Sequence, residues 1–212
     1  VIGMLPDNNL DASPVDLAGT DDFNRLAPVL NGLTASPDAH MVIDAVADLG
    51  SVLEMGAGHA DSMITALAKL GGRTIGIVAT QPEKDGGALT ACGMKKAARF
   101  VRFCDSFNLP ILTLVDSTGF AVADASGQAS LAGAGAALMG ALSEVSGARI
   151  ALVTGKAIAA AYMVLAARAS ADVVYAWPGS VIAPLDVPAA VQVLMNGKLK
   201  GQADAQQKRA EL

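Results

Sequence analysis

The sequence predicts an α/β fold in which parallel strands are covered by helices, and two observations predict it. Strand, turn and helix succeed one another three times between residues 111 and 183, the alternation that builds a parallel sheet with helical crossovers. The chain has 212 residues, 52% of them hydrophobic and 4% aromatic, with 22 Gly. An apolar excess carried by Ala, Val, Leu and Gly requires layers whose backbones pack closely. That length suits one domain with one core.

The elements follow in order. Residues 1–35, rich in Pro, Asp, Asn and Gly, read as an arm or linker; the packed domain is expected over residues 36–196 and a helical tail over residues 197–212. Ser36-Pro37-Asp38 starts a helix with a side-chain cap, a proline at its first position and an acid in its first turn. That helix is expected to end at Gly50 and to bury Val42, Ile43, Val46 and Leu49. Residues 51–55 and 62–70 have strand character, and Gly71-Gly72 turns the chain into a strand over residues 73–80, making a small meander. Across residues 91–108, Met94, Ala97, Val101 and Cys104 form one helical stripe and Lys95, Arg99 and Arg102 another. Residues 111–115 are a buried strand, followed by a Gly/Ala-rich helix over residues 126–145. A strand over residues 149–154, a helix near 159–169, strands over 172–177 and 180–183, and a helix near 186–196 complete the pattern.

Composition excludes several functions. A net charge of −5 without a basic block argues against binding nucleic acid or an anionic membrane, and favours a small-molecule or protein partner. Residues 1–10 lack the basic start and apolar run of a signal peptide. The longest apolar run, residues 157–167, is far shorter than the ~20 residues of a spanning helix. Cys92 and Cys104 have no disulfide-framework spacing and read as reduced, partly buried thiols. The chain is therefore expected to be cytoplasmic.

Two strand-to-helix junctions carry the candidate chemistry: Asp116 to Phe120, and Gly155-Lys156-Ala157-Ile158-Ala159-Ala160-Ala161-Tyr162. The first N–H groups of a helix lack intrahelical partners, and the helix dipole adds positive potential there. Small residues such as Ala160 and Ala161 let a reacting oxygen approach the main chain, as an oxyanion hole requires. Plain helix–sheet packing explains the same residues, and spacing alone leaves both readings open.

Other chemistries fit less well. His40 and His59 sit beside no nucleophile and in no metal-ligand spacing and read as surface or loop histidines. Gly133-Ala134-Gly135-Ala136-Ala137-Leu138 breaks the dinucleotide-binding pattern at its last position and reads as close helix packing. Gly155-Lys156 lacks the flanking residues of a P-loop. The Lys95, Arg99 and Arg102 stripe could bind a phosphate-bearing ligand, but a solvated helix face is the preferred reading. Asp116 and Asp186, at element ends, read as caps.

The sequence resembles the C-terminal domain of the carboxyltransferase (β) subunits of biotin-dependent acyl-CoA carboxylases and decarboxylases, propionyl-CoA carboxylase among them. The likeness rests on Leu5-Pro6-Asp7-Asn8-Asn9, Gly76 to Pro82, Lys95 to Asp105, Leu112 to Asp116, Gly119-Phe120 and Ala176-Trp177-Pro178. It implies a crotonase/ClpP-like ββα superhelix holding the biotin side of an active site, with acyl-CoA bound by a separate N-terminal half. The resemblance assigns the main-chain amides of Ala160 and Ala161 to an oxyanion hole for biotin's ureido oxygen. It places Gly119, Phe120, Ile158 and Tyr162 around the same cleft, and gives Met163 a part in choosing the acyl group.

The implied cofactor is biotin on a partner protein, with acyl-CoA as substrate and no metal. The implied partners are the N-terminal carboxyltransferase half, biotin carboxyl carrier protein and biotin carboxylase, in a homo- or hetero-oligomer without membrane insertion. This sequence departs from the family pattern at named positions. Thr118 replaces a proline, Ala159-Ala160-Ala161 replaces Gly-Gly-Ala, and Met163 replaces the Asp of propionyl-type relatives. Two alternatives share the fold: a malonate decarboxylase γ-like subunit acting on an acyl-carrier thioester, and a non-catalytic assembly subunit.

Overall fold

The computed structural model describes residues 3–6, 8, 11, 38–122 and 124–199. They form a seven-stranded sheet with helices α1 (Ala39–Val46), α2 (Ala91–Ser106), α3 (Ala125–Glu144), α4 (Ala160–Leu165) and α5 (Val187–Leu199). The strands are β1 (Leu53–Glu54), β2 (Met63–Leu70), β3 (Arg73–Thr80), β4 (Ile111–Ser117), β5 (Arg149–Ile158), β6 (Val173–Ala176) and β7 (Val181–Ala183).

Strands β1, β2 and β3 form the expected antiparallel meander, in register from Met63↔Thr80 to Leu70↔Arg73. From β3 onward every pairing is parallel, in the order β3-β4-β5-β6. The C-terminal part of β5 then pairs β7, with Lys156↔Val181 and Ile158↔Ala183. Each parallel step crosses over through a helix, α2, α3 or α4, the α/β arrangement the alternation predicts.

The sheet has two different faces. On one, α2 and α3 bury Met94, Ala97, Val101, Cys104, Leu138 and Leu142 against Leu67, Val78, Val115 and Val153. Met4 and Leu5, within the predicted arm, also pack against this core. On the other, α1 covers Ile64, Ala66, Ile77 and Ala79 with Val42 and Ile43. Small side chains keep both interfaces tight: a Cβ on Gly76 would press on Ile111 and Phe100, 3.2 and 3.3 Å away.

The first helix differs from expectation. Asp38 is its N-cap, accepting the His40 N–H at 2.9 Å, while Ser36 and Pro37 lie outside the described residues. It stops at Val46, because Asp48 accepts the N–H groups of Gly71 and Gly72 at 2.9 and 2.6 Å and draws the chain to the β2–β3 turn. Leu49 is consequently 72% exposed instead of buried. Cys92 is also exposed, not partly buried, whereas Cys104 is buried; both are free. Residues 200–212 of the predicted tail lie outside the described residues, as does most of residues 1–35. Among the described residues no helix is long and apolar enough to cross a membrane.

Candidate functional site

The site grows from an irregularity between β4 and β5. Their register runs evenly to Val115↔Val153 and resumes at Ser117↔Ala157, so β5 carries extra residues at Thr154, Gly155 and Lys156. A bulge of this kind removes an N–H from the ladder. Asp116 repairs it: its Oδ1 accepts the Lys156 N–H at 2.8 Å. The carboxylate rests against Gly155, where a Cβ would overlap it. Thr80 holds the Asp116 backbone from the other side, its Oγ1 accepting the Asp116 N–H at 2.8 Å and donating to the Asp116 carbonyl at 2.9 Å. Asp116 is thus a buried brace between strands, not the helix cap its position suggested. Its Oδ2 has no hydrogen-bond partner among the described residues. Asp186 does cap, accepting the Val187 N–H at 2.9 Å.

The bulge aims the end of β5 into α4. The Ala159 N–H donates to the Ala183 carbonyl at 2.9 Å, and the Ala159 carbonyl accepts the Met163 N–H at 3.2 Å. Ala159 sits at φ 48°, ψ −113°, a conformation that strains any residue with a Cβ. The family's customary first glycine falls at this position, so the structure explains why glycine suits it. Beyond the strain, the N–H groups of Ala160, Ala161 and Tyr162 have no acceptor among the described residues. Ala160 is half-buried, whereas Ala161 is fully buried with its side chain in the core.

The Asp116–Phe120 turn lies beside this helix start. Gly119, at φ +110°, places its Cα so that a Cβ would meet the Ile158 carbonyl at 3.4 Å. Its carbonyl accepts the Leu89 N–H at 2.8 Å, and its N–H donates to Ser117 Oγ at 3.2 Å. Thr118 donates its N–H to the Gly86 carbonyl at 3.2 Å, a bond that a proline could not make. Phe120 lies 39% exposed on α3, where a Cβ on Gly135 would stand 3.0 Å from its ring tip and 3.6 Å from Val164. Gly135 therefore does the close packing read from the Gly133–Leu138 motif, while Gly133 faces open space.

The structure brings together some of the predicted residues. Gly119 and Ile158 touch, Phe120 and Val164 share Gly135, and Met163 stands 63% exposed on α4. Tyr162 instead turns its ring partly into the core. Residue types alone did not single out Asp116 as the brace, Gly155 as the glycine it needs, or Lys156, whose Nζ lies 4.0 Å from Asp186. Among the described residues no group of three His, Cys, Asp or Glu is placed to hold a metal ion.

The carboxyl transferase domain family matches residues 1–212, the whole sequence. This chain belongs to that family. It is 34% identical to the methylmalonyl-CoA carboxyltransferase 12S subunit of Propionibacterium freudenreichii subsp. shermanii, over 100% of this chain and 41% of that protein. The propionyl-CoA carboxylase carboxyltransferase subunit of Haloferax mediterranei is 35% identical over 100% of this chain and 42% of its own length. Among solved structures, the transcarboxylase 12S hexamer with methylmalonyl-coenzyme A and methylmalonic acid bound superimposes with a TM-score of 0.85 at 34% identity, covering 99% of this chain and 41% of that one. The chain spans well under half the length of these relatives. The likeness bears out the crotonase-like fold and the carboxyltransferase resemblance.

Proposed function

We propose that this chain is the biotin-side half of a carboxyltransferase that moves carboxylate between biotin on a carrier protein and an acyl-CoA. One observation carries the reading: adjacent main-chain N–H groups at Ala160 and Ala161, without acceptors among the described residues, follow a strained turn that Gly119 closes from beside it. Biotin, when bound, supplies the ring nitrogen that accepts or releases carboxylate. The chain supplies fixed dipoles for the negative charge on the neighbouring oxygen, each good donor lowering the barrier by roughly 3–4 kcal/mol. Ala160, half-buried, offers the more accessible N–H; Ala161 is fully buried.

On this reading Phe120, Ile158, Tyr162 and Met163 surround that point, Tyr162 with its ring partly in the core, and catalysis is positioning plus charge stabilisation. Acyl-CoA would be held by an N-terminal half, with biotin carboxyl carrier protein and biotin carboxylase as further partners in a cytosolic oligomer. The methylmalonyl and propionyl relatives favour a short acyl-CoA over the acyl-carrier thioester of the malonate decarboxylase alternative.

Two experiments test this. In an amide-resolved NMR titration of the chain with biotin methyl ester, the Ala160 and Ala161 resonances should move most; shifts confined elsewhere would remove the proposed role. Mixed with an N-terminal-half protein, the chain should transfer carboxylate from methylmalonyl-CoA to free biotin.

A further inference from the structure

A second concave site lies near the opposite end of the sheet from α4, between α2 and the segment that joins β1 to β2. It has a volume of about 400 Å³, within the ~300–1,000 Å³ of small-molecule pockets. Its lining carries only positive charge, with Glu54 and Asp61 outside the lining but near enough to act on Lys96. Lys95, Lys96, Arg99 and His59 line it and no carboxylate does, although the chain as a whole carries −5.

The cations play different parts. Lys96 Nζ donates to the carbonyls of His59 and Met63 at 2.8 and 3.0 Å, so it pins the loop that forms one wall. Lys95 and Arg99, one helical turn apart on α2, are exposed and have no ion-pair or hydrogen-bond partner among the described residues. The apolar lining is aromatic and rigid: Phe103 is set between Phe100 and Phe107, with ring centroids 6.4 and 5.3 Å away. An aromatic surface beside two free cations recognises a planar ring attached to an anion.

We propose that this groove binds a nucleoside phosphate, its base against Phe103 and Met55 and its phosphate on Lys95 and Arg99. The site is independent of the carboxyltransferase reading, because it shares no residue with the Ala160 region and needs no partner half.

Cys92, exposed in the groove lining, supplies a reporter. The other thiol, Cys104, is fully buried and pushed up to about 12 by that burial, so alkylation by iodoacetamide reads Cys92 alone. In the 212-residue chain, ADP at ten times its Kd should slow Cys92 alkylation about tenfold, as simple occupancy requires. Lys95→Gln or Arg99→Gln, both at exposed positions, should each raise the ADP concentration needed for protection about tenfold while leaving the unliganded rate unchanged. Adenosine and inorganic phosphate should each protect far less than ADP. No protection by millimolar ADP, or protection that both variants retain, overturns the proposal. Equal protection by adenosine or by phosphate alone also overturns it. So does protection by polyglutamate without protection by ADP, which would make the groove a protein contact.

Discussion

The carboxylate of Asp116 lies against the Cα of Gly155, and one of its oxygens accepts the Lys156 N–H at 2.8 Å. This contact lets β5 swell by a bulge, keep its pairing with β4, and still reach α4 at the angle that frees the amides of Ala160 and Ala161. A buried carboxylate left half-satisfied is costly, so the brace works only if its surroundings stay closed and Gly155 stays small.

Gly155→Ala is therefore expected to destabilise the fold by about 3 kcal/mol, because the added methyl would overlap a buried carboxylate that is held by the Lys156 N–H and carried on a backbone fixed by Thr80, rather than a mobile side-chain tip. Urea unfolding followed by far-UV circular dichroism measures it. A midpoint like that of the parent chain would mean that Asp116 can move aside.

Ala159→Gly should act in the opposite sense. Ala159 holds φ 48°, ψ −113°, and strain of this type costs on the order of 1–3 kcal/mol. Glycine relieves it but loses more backbone entropy on folding, ~0.4–1 kcal/mol, leaving a net gain of about 1 kcal/mol. The readout is a raised Tm with unchanged cooperativity.

These two positions show what the sequence could and could not reveal. The bounds of β3 and the buried stripe of α2 were legible because they are local: Gly71-Gly72 ends one strand and opens the next, and Met94, Ala97, Val101 and Cys104 share one helical face. The apolar run over residues 157–167 concealed a change of structure. Its first residues remain in β5 because β7, a strand some twenty-five positions later, pairs with Lys156, Ala157 and Ile158. The end of α1 was hidden for a similar reason, since Asp48 is captured by a turn distant in sequence. At the candidate site, small residues marked the strand-to-helix junction, while the brace beside it depends on a strand register that no local pattern encodes.

Stability should also depend on pH through His40. Its partial burial lowers its pKa, but hydrogen bonds to Asp38 at 3.0 Å and Glu54 at 3.2 Å, together with their charges, more than offset this and raise it above the usual histidine value of 6.5. A group whose folded pKa is raised contributes stability that is complete below its unfolded pKa and is lost as pH rises through the folded one. The Tm of the parent chain should thus fall from about pH 6.5 upward relative to that of His40→Gln, and the two curves should become parallel once His40 is neutral. Parallel curves throughout would show that the two carboxylates do not hold the imidazolium.

Met163 offers a way to separate selectivity from folding. It is 63% exposed on α4, one turn beyond Ala159, so Met163→Asp should change stability by no more than about 0.5 kcal/mol. The proposed function makes a different demand on the same side chain, because that reading assigns it a part in choosing the acyl group. In the chain combined with an N-terminal-half protein, Met163→Asp should alter the ratio of kcat/KM between propionyl-CoA and a longer acyl-CoA by several-fold, the range that a methylene or two in a pocket controls. An unchanged ratio with unchanged stability would place Met163 outside the acyl path, whereas a loss of both substrates in equal measure would assign the side chain to biotin instead.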